Sequence, residues 1–282
     1  MDFLNQSVFI KVKDNSVSKE NFELLIDENL QLLKTHPQPS LDVLPKYYES
    51  DDYISHTDGK RSLFEKMYHF IKSYSLKKKV SLINSFHPEK GTLLDIGAGT
   101  GDFLATAKGN GWQTTGLEPS EKARNTAISK GVSFQNSIEN IENQSFDVIT
   151  MWHVLEHVPD IEQQIKELKR LLKPNGTIII AVPNFKSYDA NYYGEFWAAY
   201  DVPRHLWHFS KISIQKLFAS ENMKLIKILP MIFDSFYVSL LSEKYKNGKM
   251  NFFKAFWIGF VSNLKAKRTL EYSSHIYVLK NQ

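Results

Sequence analysis

The chain of 282 residues has no cysteine. A disulfide framework and a cysteine-held zinc site are therefore excluded. Its first seven residues, Met1 to Ser7, lack the basic segment and apolar run of a signal peptide. The longest apolar stretches, around 228–241 and 252–264, are interrupted by Pro230, Asp234 and Lys254. Both fall short of the roughly 18–20 residues a membrane span needs. A cytoplasmic protein without a transmembrane segment is the expectation. A strong charge of one sign is also missing: Lys+Arg 35 against Asp+Glu 31 leaves +4. No nucleic-acid partner is expected from that balance, and Lys77-Lys78-Lys79 and Lys265 to Arg268 read as solvated helix faces. Repeats and low-complexity tracts are absent. What is present is enough apolar material, 42%, for a sizeable core.

The informative stretch is Thr92-Leu-Leu-Asp-Ile-Gly-Ala-Gly-Thr-Gly101. It reads as a buried strand, a glycine turn and a helix beginning near Asp102. Glycines 97, 99 and 101 let the backbone turn sharply and approach a ligand that a Cβ would repel. The helix start then aims unpaired N–H groups at that ligand. The dinucleotide fingerprint needs Gly-x-Gly-x-x-Gly. Here the third fingerprint position is Asp102, and Asp95 stands just before the turn. Two carboxylates repel a pyrophosphate and suit a ligand with a cationic head. Asp-x-Gly-x-Gly-x-Gly resembles motif I of the class I S-adenosylmethionine-dependent methyltransferases. Gly116-Leu-Glu-Pro-Ser120 resembles their motif II, with Glu118 able to accept from two ribose hydroxyls.

Beyond the turn, strand and helix alternate, which argues for a mostly parallel sheet covered on both faces. Strands are expected at 113–118, 132–135, 146–152, 177–182, 223–229 and 275–280. Helices are expected at 61–86, from Ser120 to about 130, 160–172 and 212–220. Residues 1–60 form a small N-terminal appendage, with a strand at 8–13 and a strand or helix at 22–33. Tyr47, Tyr48, Tyr53 and His56 stand in its last loop, either closing the pocket or buried as core. Residues 61–282 form the main domain. A long irregular loop at 184–210 overhangs the sheet edge. The insertion Met231–Glu271 reads as helical, and as a substrate lid, a homodimer surface or a membrane-surface element; lid or dimer is the expectation, because its charges keep to no obvious face.

The segment Ser145 to Pro159 resembles the fourth-strand motif of ubiquinone-biosynthesis-type methyltransferases, and the match covers about residues 90–230 and the last strand. The resemblance implies a Rossmann-like α/β fold, with a seven-stranded sheet whose last strand is antiparallel. It implies S-adenosylmethionine as cofactor and a small-molecule acceptor, with S-adenosylhomocysteine released. Asp95, Gly97, Gly99, Gly101, Glu118 and Trp152 then hold the cofactor. Ser137 and Ile138 stand where the family has an Asp and a small or apolar residue on the adenine.

His153 is placed to face the methyl group. Asp201-Val-Pro-Arg-His-Leu-Trp-His-Phe-Ser210 is similar to a loop of a bacterial subgroup acting on small metabolites. His205 is the first candidate for a general base, the alternative being loop packing. Arg204 is a candidate for gripping an anionic acceptor, the alternative being an ion pair with Asp201. His153-x-x-Glu156-His157 also fits an inverted zinc-protease pattern. That pattern needs a continuous helix and a third ligand, whereas here it follows a strand and precedes Pro159, so no metal is expected. A non-catalytic cofactor-binding scaffold and an NAD-dependent dehydrogenase remain as alternatives.

Overall fold

The computed structural model describes residues 7–48 and 63–282. Tyr53 and His56 lie outside the described residues. The chain opens with three antiparallel strands, β1 (Ser7–Lys13), β2 (Asn21–Asp27) and β3 (Leu32–His36). Phe22 to Leu33, open between helix and strand in the sequence, is thus the greater part of a hairpin. Its alternating burial, Phe22, Leu24 and Ile26 inward, is the two-residue period of a half-buried strand. Helix α1 (Leu63–Phe86) follows, and strand and helix then alternate: β4 (Thr92–Ile96), α2 (Asp102–Gly109), β5 (Gln113–Leu117), α3 (Glu121–Ile128), β6 (Ser133–Phe134), β7 (Phe146–Trp152), α4 (Ile161–Leu171) and β8 (Leu172–Pro183). The chain continues through α5 (Tyr188–Tyr193), β9 (Trp207–His208), α6 (Lys211–Ala219), β10 (Met223–Pro230), α7 (Asp234–Asn247), α8 (Phe252–Thr269) and β11 (Ser274–Asn281).

Seven strands form the main sheet in the order β10-β11-β8-β7-β4-β5-β6. β4 pairs in parallel with β5 and β7, and β11 is antiparallel to both of its neighbours. This is the Rossmann-like sheet that the resemblance implies. Its central strands are buried on both faces, so Ile178, Ile179, Ile180, Ala181 and Val182 read as one apolar run. One face packs on α4 and α6 through Ile161, Ile165, Leu168, Ile214 and Leu217; the other packs on α1 and α2 through Val80, Ile83, Phe103 and Leu104. Caps set the helix starts: Asp160 accepts from the Gln163 N–H, and Ser120 from the Ala123 N–H. β8 starts five residues before the expected Thr177, because Lys173-Pro-Asn-Gly176 bulges out of the ladder between Leu172 and Thr177.

The loop expected to be irregular is built into the second sheet. β9 pairs with β3 as the fourth strand of the order β1-β2-β3-β9. The Thr35 N–H donates to the Leu206 carbonyl at 3.0 Å and the Ser210 hydroxyl to the Gln31 carbonyl at 2.8 Å. The N-terminal sheet and this loop therefore share one core, with Leu24, Leu33, Trp197, Tyr200 and Val202 in contact. The expected helical insertion is the hairpin of α7 and α8.

Candidate active site

Strand order reverses at β4: the chain leaves it for β5 and β6 on one side and returns to β7 and β8 on the other. The crevice outside the carboxyl ends of such strands is where open α/β sheets bind ligands. The glycine turn sits at that point. Gly97, Gly99 and Gly101 have φ of +72°, +53° and +74°, all in the left-handed region that favours glycine. The turn is tied to β5 by the Gly97 and Ala98 N–H groups, which donate to the Leu117 carbonyl at 2.8 and 3.1 Å.

The glycines differ in what surrounds them. A Cβ on Gly101 would stand 2.5 Å from the Ala127 Cβ, whereas one on Gly99 would meet nothing within 4 Å. Gly101 is therefore required by packing, while Gly99 borders open space, as a ligand cradle must. Glu118 reaches across from the end of β5. One carboxylate oxygen accepts from the Gly99 N–H at 2.8 Å and the other from the Ser120 N–H at 2.9 Å. A carboxylate has about four lone-pair sites, so capacity for ligand hydroxyls remains. Asp102 turns elsewhere: it pairs with Lys72 and Lys130, each at 2.7 Å. Burial pushes its carboxyl up, but the two ammonium groups outweigh it and bring it to about 2.

Asp95, at the end of β4, is buried and accepts from the Thr150 hydroxyl at 2.6 Å. Burial pushes its carboxyl up to about 7, against the Thr150 bond and the Lys79 charge. Lys79, on α1, lies 4.2 Å from the centroid of the Trp152 ring. Burial pushes this ammonium down, against the pull of Asp95 and Asp234. Trp152 packs edge-on against Phe103 at 5.6 Å, and its buried indole N–H has no partner. Ser137 and Ile138 lie beyond β6, each half-buried. The Ser137 hydroxyl donates to Glu139, and the Ile138 carbonyl accepts from Arg170 at 2.9 Å.

His153 follows β7 with φ +57°, a conformation uncommon outside glycine. Its Nδ1 lies 3.3 Å from Glu156 and its Nε2 3.1 Å from Asp234, the first residue of α7. Burial pushes this imidazole down, but the two carboxylates outweigh it and raise it to about 10. A third of the side chain, 34%, stays open to solvent, so the ion pairs govern its charge. The chain thus carries an imidazolium at neutral pH, clamped between the sheet edge and the helical insertion.

The sequence model of the family described as "Methyltransferase domain" matches residues 65–228. The chain belongs to that family. Over 102 residues it is 34% identical to the ubiquinone biosynthesis O-methyltransferase of Yersinia pestis (strain Pestoides F). That alignment takes in 33% of this chain and 42% of the relative, so the chain spans less than half the length of the curated relatives it matches. Among solved structures, an S-adenosylmethionine-dependent methyltransferase from Thermotoga maritima aligns with TM-score 0.51 and 20% identity, over 76% of this chain and 97% of that one. Magnesium protoporphyrin IX methyltransferase from Synechocystis PCC 6803, with bound S-adenosylhomocysteine, aligns with TM-score 0.53 and 14% identity, over 86% and 94%. These structural likenesses show the shared fold alone. S-adenosylmethionine is the family's cofactor, and the open cradle at Gly99 and the orphaned Trp152 N–H fit a ligand of that kind.

In this member of the family the loop residues expected at the acceptor are used internally. His205 is buried, and its Nδ1 lies 2.9 Å from the Ala199 carbonyl. Burial and the neighbouring His157 push its imidazole down to about 4. It packs edge-on against His157 at 4.6 Å, behind Glu156 and away from solvent. Arg204 is fully engaged. Its guanidinium meets both oxygens of Asp201, the Tyr47 carbonyl at 2.8 Å and the Ser16 hydroxyl, with Asp14 at 3.8 Å. The Asp201 ion pair, one of the two readings open in the sequence, is the contact present. Tyr48 lies 3.1 Å from His157, the Tyr47 hydroxyl donates to Glu20 at 2.7 Å, and the Tyr47 carbonyl is the one that accepts from Arg204.

The inverted zinc-protease pattern is split by the backbone. Leu155–His157 is a single 3-10 turn, too short to bring His153 and His157 to one face. His153 turns to Asp234, whereas His157 turns to His205. Glu156, His157 and His205 do place three ligand atoms within 4.8 Å of one another, one carboxylate and two imidazoles. Such a donor set can hold a cation or share a proton. Lys79 and Asp234 are the site residues that sequence reasoning did not single out. Lys79 had only its place in a basic triplet, and Asp234 only its place as a charge inside an apolar run.

Proposed function

We propose that this protein transfers the methyl group of S-adenosylmethionine to a small-molecule acceptor. One observation supports this above all: a turn open at Gly99, bridged by Glu118, at the switch point of a methyltransferase sheet. When bound, S-adenosylmethionine supplies a methyl group activated by its sulfonium. Glu118 would accept from the ribose hydroxyls with its remaining lone pairs, and Asp95 would hold the amino group of the methionine part. Ser137 and Ile138 would hold the adenine, and Trp152 has its N–H available for the ligand.

Methyl transfer is an in-line displacement, so alignment and exclusion of water carry the catalysis. The hairpin of α7 and α8 acts as the lid, with Asp234 as its latch on His153. While latched, His153 holds a proton on each ring nitrogen and cannot accept another. Withdrawal of Asp234 removes one of the two carboxylates that hold the imidazolium, so the Nε2 proton passes to solvent, and the neutral Nε2 then takes the proton of an oxygen or carbon acceptor. His205 and Arg204 serve as positioning residues, holding the loop that backs Glu156. A cytoplasmic site of action suits the cysteine-free chain.

The test is label transfer. Incubation with methyl-tritiated S-adenosylmethionine and a panel of small phenols, amines and carboxylic acids should give a labelled product, and His153→Gln should lower turnover while sparing S-adenosylhomocysteine binding. Tight S-adenosylhomocysteine binding with no label moved to any acceptor would favour a cofactor-binding scaffold instead.

A further inference from the structure

Helix α8 turns its aromatic side outward. Ala255, Ile258, Gly259, Ser262 and Ala266 face inward. The contact with α7 is close: a Cβ on Gly259 would stand 2.8 Å from the Phe236 ring and 3.0 Å from its backbone. The Ser235 hydroxyl donates to the Gly259 carbonyl at 3.1 Å, and the Asn263 amide to the Ile232 carbonyl at 2.9 Å. These contacts fix the helix's rotation. Small residues sit where a surface helix normally buries large ones. The outer row, Phe253, Phe256, Trp257, Phe260 and Leu264, follows the same three- and four-residue steps in water. Phe253 is 92% exposed, and Phe256 and Trp257 each 61%.

The surrounding charge has one sign. Between Lys244 and Leu270 there are seven lysines and arginines and no aspartate or glutamate. Lys254 pairs with Glu243 at 3.1 Å, and Lys265 lies 3.8 Å from the Tyr188 ring centroid. Lys249 precedes the aromatic row and Lys265, Lys267 and Arg268 follow it, so basic groups flank it at both ends. Lysine and arginine beside a row of Phe, Trp and Leu make the composition of a helix that lies in a membrane interface. No helix among the described residues is long and apolar enough to cross a membrane.

We propose that the outer face of α8 docks on an anionic lipid bilayer, lying flat with its aromatic row among the acyl chains and its basic ends on the headgroups. A second copy of the chain fits poorly, because a two-fold contact would bring two strongly basic faces together. The charge that looked scattered along the sequence is thus complementary to one partner. The surface also adjoins the site: Phe233, 43% exposed, immediately precedes Asp234, the residue on His153.

The test uses the full chain and two vesicle preparations, phosphatidylcholine alone and phosphatidylcholine with about 30% phosphatidylglycerol. Flotation should show about tenfold or greater partitioning to the anionic vesicles, lost at high salt. Trp112, Trp197 and Trp207 are buried and Trp152 is packed against Phe103, so a blue shift on binding reports Trp257. The double variant Phe253→Ser, Trp257→Ser should lose most partitioning, and so should the triple variant Lys265→Gln, Lys267→Gln, Arg268→Gln. Titration with S-adenosylhomocysteine should be unchanged in both, which shows that they are folded and separates this result from the methyl-transfer reading. Equal partitioning to both vesicles, or none to either, would overturn the proposal. A dimer that Phe253→Ser dissociates, with no vesicle binding, would overturn it equally and assign the face to a second copy.

Discussion

Replacing Gly99 and Gly101 in turn by alanine separates ligand cradle from packing. Both residues are left-handed, at +53° and +74°. Forcing an L-residue there costs about 1–2 kcal/mol, offset by about 0.4–1 kcal/mol from a stiffer unfolded chain. For Gly99→Ala nothing further is added, because the new methyl meets no protein atom within 4 Å. Its net cost is then about 1 kcal/mol, a fall in Tm of about 2–4 °C. For Gly101→Ala the methyl would stand 2.5 Å from the Ala127 Cβ and 3.2 Å from the Ala127 Cα, so α3 must shift. Overpacking adds about 1–3 kcal/mol, for a total near 2–4 kcal/mol and a fall of about 4–15 °C. Binding should rank the other way. The Gly99 methyl enters the space where a ligand approaches the backbone, and should weaken S-adenosylhomocysteine about tenfold or more, equivalent to about 1.4 kcal/mol or more. Calorimetric titration and thermal unfolding of both variants give the comparison. A Gly99→Ala protein that binds as tightly as the parent would refute the assignment of this turn as the cradle.

Asp95 titrates near 7, so a proton and a cationic ligand compete for it. S-adenosylmethionine affinity should therefore rise from pH 5.5 to 8, with proton release on binding, and Asp95→Asn should flatten the profile; a flat parent profile contradicts this. The same raised value makes Asp95 lower folding stability as pH rises from about 4 to 7, because the unfolded carboxyl ionises first. His153, raised to about 10, should show no imidazole titration between pH 6 and 8.5 by NMR, and Asp234→Asn should move its midpoint toward neutrality. Its contribution to stability is fully present below about 6.5 and lost as pH rises toward 10; a parent midpoint near 6.5 would break the latch argument. Arg204→Met strips the partner from Asp201, whose side chain is 26% exposed, and should destabilise by about 2–3 kcal/mol in urea unfolding, less than a fully buried pair. Unchanged stability with lost turnover would return Arg204 to the acceptor. Dialysis against EDTA should leave S-adenosylhomocysteine affinity unchanged, whereas a loss would make Glu156, His157 and His205 a metal site.

The parts legible in the sequence are those written in local pattern. Three glycines with Asp95 and Glu118 at their spacing located the turn at the switch point, and alternating apolar runs identified the sheet. β7 came out with its expected bounds because a mostly apolar strand between Asp147 and His153 has few other readings. The sequence said less where long-range partners decide. Residues 22–33 carry leucines that fit helix or strand, and only pairing with β3 and β9 settles them. His205 and Arg204 looked available because a loop after β8 should overhang the edge. The pairing of β9 with β3 instead pulls them inward, and burial then turns a titrating imidazole into one near 4. The hairpin of α7 and α8 was recognised as helical, but its outward face was not. Aromatics at helical spacing normally point inward, and only the small residues opposite them reverse that here.

The most direct measurement is a titration of the parent protein and Glu118→Ala with S-adenosylhomocysteine and with NAD. The account predicts one-to-one S-adenosylhomocysteine binding, weakened about tenfold or more without the Glu118 carboxylate, and no heat with NAD. NAD binding, or an S-adenosylhomocysteine isotherm that Glu118→Ala leaves unmoved, would contradict it.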